Sequence, residues 1–141
     1  MKILVSACLL GVKCRYDGAE KLNEAVAALS KKHTLIPFCP EIYGGLPTPR
    51  DPSEIRDGRV HTCNGKDVTA EYEKGAEAAL KIARMLGCDA ALLQDRSPSC
   101  GVGMIHNGLF DGGLVEGNGV TAKLFTENGI ICYPASRADE L

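Results

Sequence analysis

Cys8 in VSACLLG, Cys39 in IPFCPEIYGG and Cys100 in LLQDRSPSCGVG each close a short apolar run and open a segment rich in Gly, Pro or Ser. An apolar run of that length reads as a buried strand, so each thiol is expected where a strand hands over to a loop. In an open α/β sheet, ligands bind outside the carboxyl ends of the strands, where residues distant in sequence converge. Thiolates are soft ligands suited to zinc, copper(I) and iron-sulfur clusters, and three of them converging point to a metal centre. The competing reading is that most of these thiols are buried small hydrophobes, a common fate of free cysteine.

Spacing restricts the metal. Structural zinc sites usually carry a Cys-x2-4-Cys knuckle, whereas Cys8 and Cys14 enclose the five residues 9–13. Ferredoxin patterns, with three or four cysteines in one loop, are also missing. A three-cysteine site built from distant strand ends would leave one corner of a cubane cluster without a protein ligand. Such an open iron is a Lewis acid, as an open zinc position is.

The neighbours of the thiols carry proton-transfer chemistry. Glu41 follows Cys39 by two residues, and Ser97 and Ser99 precede Cys100 in SPSC, so acid-base groups would surround a bound species. Each also has a plainer reading: Glu41 as a helix or turn cap, the serines as turn residues, Arg50 as an anion binder or a surface ion pair. Cys63, Cys88 and Cys132 read as ordinary thiols, and His33, His61 and His106 lack the i, i+4 spacing of a paired metal site.

The elements that must position these residues alternate along the chain. Strands are expected at 2–7, 34–39, 89–94 and 129–133, and helices at 20–32, 69–86 and 120–127. Pro37 marks the second strand as an edge. Residues 40–68 show no clear periodicity, which in a compact domain marks a functional loop, with a small hairpin expected around Asn64-Gly65. Asn107-Gly108 and Asp111-Gly112-Gly113 announce a second hairpin or a glycine-rich lid. The alternation predicts an α/β fold: one three-layer αβα domain over 1–141 with a mostly parallel sheet of about four strands, plus the long loop and a small hairpin.

Composition excludes several functions. With 141 residues and a net charge of −2 there is no basic stripe for nucleic acid, and no window reaches the roughly 18 apolar residues of a membrane span. A small-molecule partner is expected, with no nucleic acid and no membrane. Val5-Ser6-Ala7-Cys8 imitates a lipoprotein cleavage site, but only Ile3, Leu4 and Val5 stand where a signal needs about 7 to 15 apolar residues. Seven unevenly spaced cysteines argue against a complete disulfide framework and for a reducing compartment, the cytoplasm.

SACLLGVKCRYDG, PFCPEIYGGLPTPR and QDRSPSCG together resemble the bacterial family of domains of unknown function that includes 2-thiouracil desulfidase. The resemblance spans nearly the whole chain and rests on three ordered motifs. It implies a 4Fe-4S cluster held by three cysteines, with one open iron that takes the sulfur, and non-redox desulfuration of a thiolated nucleobase to its oxo form with release of sulfide. Carried over, it makes Cys8, Cys39 and Cys100 the cluster ligands. Glu41, with Ser97 or Ser99, would then transfer protons and contact substrate. Cys14 belongs to the first motif as an alternative ligand, a residue behind the ligands or a sulfur acceptor. An exposed cluster of this kind degrades in air.

Two other classes compete with an enzyme. One is a binding module whose zinc or iron-sulfur group is structural, with the long loop serving a partner. The other is a metal-free thiol or persulfide protein in which Cys8 and Cys14 exchange sulfur, which requires exposed thiolates of low pKa.

Overall fold

In the computed structural model, which describes residues 1–141, the chain runs β1 (Lys2–Ser6), α1 (Glu24–Ala28), β2 (Thr34–Phe38), α2 (Pro40–Tyr43), β3 (Ser53–Arg56), β4 (Arg59–Thr62), α3 (Thr69–Leu86), β5 (Ala90–Leu93), β6 (Met104–His106), β7 (Leu114–Glu116), α4 (Val120–Glu127) and β8 (Ile131–Pro134). Short 3₁₀ segments follow β1, α1 and β8 at Ala7–Leu10, Leu29–Lys31 and Ala135–Glu140. Four strands pair in parallel in the order β2-β1-β5-β8. Pro37 lies on the edge strand β2, where a missing backbone donor is tolerated.

Side chains on a strand alternate between faces, and each face of this sheet has its own core. Ile3, Val5 and Leu92 pack with Val26 of α1, Leu29, and Ala135 and Ala138 of the C-terminal 3₁₀ segment. Leu4, Ala91 and Leu93 pack on the other side against Ala79, Leu80 and Ala83 of α3 and Ala122 and Phe125 of α4. The central strands β1 and β5 are therefore covered twice, which explains their continuous apolar runs.

The structure redraws several expected boundaries. The first helix shrinks to five residues because Asn23, not a residue near 20, accepts from the Val26 backbone N–H and caps it; Leu22 is exposed. The helix at Thr69–Leu86 ends as expected at Gly87, in left-handed conformation at φ 68°. It also starts as expected at Thr69, whose hydroxyl makes no cap and accepts from the Val60 backbone N–H.

The long segment 40–68 is not structureless. It begins with α2, where Pro40 occupies the first turn, and continues into the antiparallel pair β3–β4. That hairpin turns at Asp57-Gly58, both at positive φ (53° and 74°), the backbone a two-residue type I′ turn requires. The Asn64-Gly65 signal instead makes a smaller turn after β4, closed by the Gly65 N–H to the Thr62 carbonyl. The second expected hairpin forms as β6–β7.

α2 and α3 meet backbone to backbone. A Cβ on Gly75 would stand 1.8 Å from the Pro40 carbonyl oxygen, and one on Gly44 would stand 2.1 Å from that of Glu71. These glycines set how closely α3 approaches the turn that carries Cys39 and Glu41. Gly75→Ala is expected to cost about 3 kcal/mol, in the range of core overpacking. Urea denaturation measures it, and an unchanged midpoint would mean that α2 and α3 separate freely.

Candidate active site

β2, β1 and β5 are neighbours and parallel, so their carboxyl ends share one edge of the sheet. Cys8 sits in the 3₁₀ turn just after β1, Cys39 directly after β2 at the N-cap of α2, and Cys100 in the loop beyond β5. β2 and β5 flank β1 on opposite sides, so successive strands leave β1 in both directions. Ligands bind at such a switch of strand order. All three thiols line a single cavity of about 570 Å³ there, together with Cys14, Glu41, Arg50 and Ser97.

The sites inferred from sequence are thus brought together, with one exception. Ser99 is fully buried and its hydroxyl shares a 2.9 Å hydrogen bond with that of Thr121 on α4. It does not line the cavity. Ser97 does, and its Oγ accepts from the backbone N–H groups of Ser99 and Cys100, each at 3.1 Å. With both lone pairs engaged, that hydroxyl keeps one function toward the cavity, its O–H donor. Gly119, at the start of α4, packs so tightly on this loop that a Cβ would stand 2.5 Å from the Ser99 carbonyl.

Of the remaining cysteines, Cys63 lies at the exposed rim of the cavity. Cys88 and Cys132 pack against the α3–α4 core. All seven are free thiols.

Cys14, Cys39 and Cys100 are pushed toward their neutral form. Contact with Cys39 favours ionisation of Cys14, but contact with Cys8 and burial outweigh it and push the thiol up to about 11. The Cys39 thiol is raised by its contact with Cys14 and by burial, and it donates to the Cys14 carbonyl at 3.8 Å. Burial pushes Cys100 up to about 12 against the opposing hydrogen bond from Ser6. Thiols in such surroundings ionise when a metal supplies the compensating charge.

Arg50 ties the motifs together. Its Nη2 donates to the Cys14 carbonyl at 2.9 Å, its Nη1 donates to the Pro47 carbonyl and the Thr48 hydroxyl, and its Nε lies 3.5 Å from Glu41 Oε1. The guanidinium is 5% exposed and Glu41 18% exposed, so this is a buried pair and not the surface pair that sequence allowed. The Tyr72 hydroxyl of α3 donates to the same Oε1. Burial, and then the Glu41 charge, hold the Tyr72 hydroxyl well above its ordinary range, as a firm donor. Glu41 Oε2 makes no hydrogen bond with the protein.

Tyr72, Glu54 and Phe110 are among the cavity residues that sequence reasoning missed, and His106, set aside there for lacking a paired spacing, lines the cavity as well. Tyr72 shares the helical periodicity of α3 and looks like core. Glu54, in β3, is buried, and its Oε1 accepts from the Gly108 and Phe110 backbone N–H groups at 3.0 and 3.1 Å. It clasps the β6–β7 loop to the β3–β4 hairpin. No local pattern announces a contact across 54 residues of sequence.

The other histidines are accounted for away from the cavity. His61 lies 3.9 Å from Asp67, and His33 bonds the N-terminal amine and the Leu141 carbonyl.

The 2-thiouracil desulfurase family model matches residues 3–136. The chain is 40% identical over 137 residues to the uncharacterized protein YbbK of Bacillus subtilis (strain 168), covering 90% of this chain and 91% of that protein. It superposes with a TM-score of 0.93 on the solved structure of a 4Fe-4S-dependent thiouracil desulfidase, TudS, at 46% identity over 99% of this chain and 94% of the other.

The different settings of the two serines are separable by measurement. Ser99→Ala leaves the buried Thr121 hydroxyl unpaired and is expected to cost about 1–3 kcal/mol. Ser99→Ala combined with Thr121→Val removes both partners and recovers most of that loss. A double-mutant cycle by chemical denaturation with no coupling between the two would refute the structural role given to Ser99.

Proposed function

The chain belongs to the 2-thiouracil desulfurase family, and from that premise we propose that it replaces the sulfur of a thiolated pyrimidine, such as 2-thiouracil, by oxygen from water. The products are the oxo base and hydrogen sulfide, with no net oxidation or reduction. The observation that supports this reading is the convergence of Cys8, Cys39 and Cys100 with Glu41 and Ser97 around one cavity.

Five thiols line the cavity, Cys63 at its rim, and such a set of soft donors fits an iron-sulfur group. No three thiol, imidazole or carboxylate groups are close enough to share a single metal ion, whereas a zinc ion with bonds of about 2.3 Å needs such a compact set. Thiols distributed around the cavity suit a larger polynuclear centre. Cys8, Cys39 and Cys100 would hold the 4Fe-4S cluster in this reading, with Cys14, which contacts both Cys8 and Cys39, outside the ligand set. When bound, a cluster with three protein thiolates supplies one open iron as Lewis acid for the thiocarbonyl sulfur.

The rest of the work falls to the protein. Glu41 is oriented by Tyr72 and Arg50 through Oε1, which leaves Oε2 to take a proton from the water that attacks the thiocarbonyl carbon. Ser97 directs its O–H donor at the base or at that water.

The Cys14 thiol, which contact with Cys39 lowers but contact with Cys8 and burial push up to about 11, weighs against metal-free sulfur exchange through Cys14, because that chemistry needs a depressed pKa. No helix is long and apolar enough to cross a membrane.

Anaerobic reconstitution is expected to load about four irons per chain, the content of a cubane cluster. Cys8→Ser, Cys39→Ser and Cys100→Ser lose most of that iron and the visible absorbance, while Cys14→Ser retains them. Glu41→Gln keeps the absorbance and loses about 10²- to 10⁴-fold in sulfide release from 2-thiouracil, the range for a general base. Protein that stays colourless after reconstitution rejects the cluster, and wild-type turnover in Glu41→Gln rejects the base.

A further inference from the structure

We infer that His106 selects the substrate by donating a hydrogen bond from Nε2 to the exocyclic oxygen that a thiouracil carries besides its thiocarbonyl. The inference rests on the desulfuration proposed above and adds the residue that recognises the part of the base which does not react.

His106 ends β6 and lines the cavity. Its Nδ1 is buried without a hydrogen-bond partner. A proton on that atom would be an orphaned buried N–H, which folded proteins avoid more strictly than an unused lone pair. The neutral ring therefore carries its proton on Nε2. That atom is neither sealed in nor bonded to the protein, so it offers the cavity a donor. Glu41, Glu54 and Asp95, the carboxylates lining the same cavity, are acceptors and cannot serve a carbonyl oxygen.

The ring is held ready for this contact. The β6 strand pairs with β7 through His106 and Leu114. Beyond it, Glu54 fixes the backbone of Gly108 and Phe110. Gly108 abuts the neighbouring hairpin, since a Cβ there would stand 2.6 Å from the Ile55 carbonyl. Phe110 is held at φ 55°, a conformation that non-glycine residues rarely adopt, and it reaches the same cavity. One clamped hairpin thus supplies a donor and an aromatic ring, which suits a flat heterocycle with a carbonyl at its edge.

A site built to hydrogen-bond a polar group rejects an analogue lacking it, because its own donor is then left unpaired. The test compares 2-thiouracil with pyrimidine-2-thione, which lacks the second oxygen, using iron-loaded protein. Wild type is expected to favour 2-thiouracil, and His106→Leu to lower that preference about tenfold or more, through KM more than kcat. His106→Gln, which keeps an N–H donor, restores part of it. Iron content and thermal midpoint are measured for each variant, so that a folding defect is not read as lost recognition.

Calorimetric binding of uracil and pyrimidin-2-one to the same proteins reads the contact without turnover. An unchanged preference in folded His106→Leu overturns the inference and leaves the desulfuration reading intact. No sulfide from iron-loaded wild type, with His106-dependent binding of uracil, overturns the desulfuration reading and leaves the contact standing.

Discussion

Parallel pairing of β2, β1 and β5 is the constraint on which the site depends. Antiparallel neighbours would send successive loops to opposite edges of the sheet, but parallel strands deliver all of theirs to one. Cys8 and Cys39 follow their strands within two residues and Cys100 lies in the loop that leaves β5, so the shared edge gathers three thiols separated by 31 and 61 residues (39 − 8 and 100 − 39). The same edge receives material from both cores. Cys8 and Cys14 pack with the α1 side, whereas Cys100 packs with the α3–α4 side. The cavity therefore straddles the sheet edge, and each wall inherits the rigidity of a separate core.

A second constraint is electrostatic. Burying an ion without a partner is costly, and removing one partner of a buried pair leaves the other uncompensated. Arg50 meets this with Glu41, the Cys14 carbonyl and the Pro47 and Thr48 oxygens. Its guanidinium joins the loop after β1 to the loop after β2. Glu41 in turn joins the loop after β2 to α3 through Tyr72. The network holds in place the two loops that carry Cys14 and Cys39. Such a network favours one arrangement of the loops more than it adds raw stability.

The layered architecture and the three cysteine positions were legible in sequence because both rest on local signals. Short β-branched runs, helical spacing and glycine stops mark the elements, and the thiols sit at their ends. What sequence could not resolve was long-range. Ser97 and Ser99 are equivalent in SPSC; only the packing of α4 sends one hydroxyl to Thr121 and the other to the cavity. Arg50 looks like any arginine in a proline-rich loop until Glu41 and Cys14 fold around it. The main hairpin was placed at the wrong Gly dipeptide because Asn64-Gly65 and Asp57-Gly58 are both sound turn signals. The pairing of Ile55 with Val60 decides between them.

The glycines show how the site's precision is achieved at close range. Gly75 and Gly44 allow the backbones of α2 and α3 to touch, Gly119 lets α4 press on the Cys100 loop, and Gly108 lets one hairpin seat against the other. At each place a side chain would force apart two segments of which at least one carries cavity residues. Hydrogen bonds then fix the geometry that contact permits: Tyr72 to Glu41, Ser97 to the Cys100 backbone, Glu54 to the β6–β7 loop. Loops are the mobile part of most folds. Here three of them are braced by helices or by a buried carboxylate, which turns loop residues into positioned ones. That bracing is what a reacting centre requires, since errors near 1 Å are enough to forfeit large factors in rate.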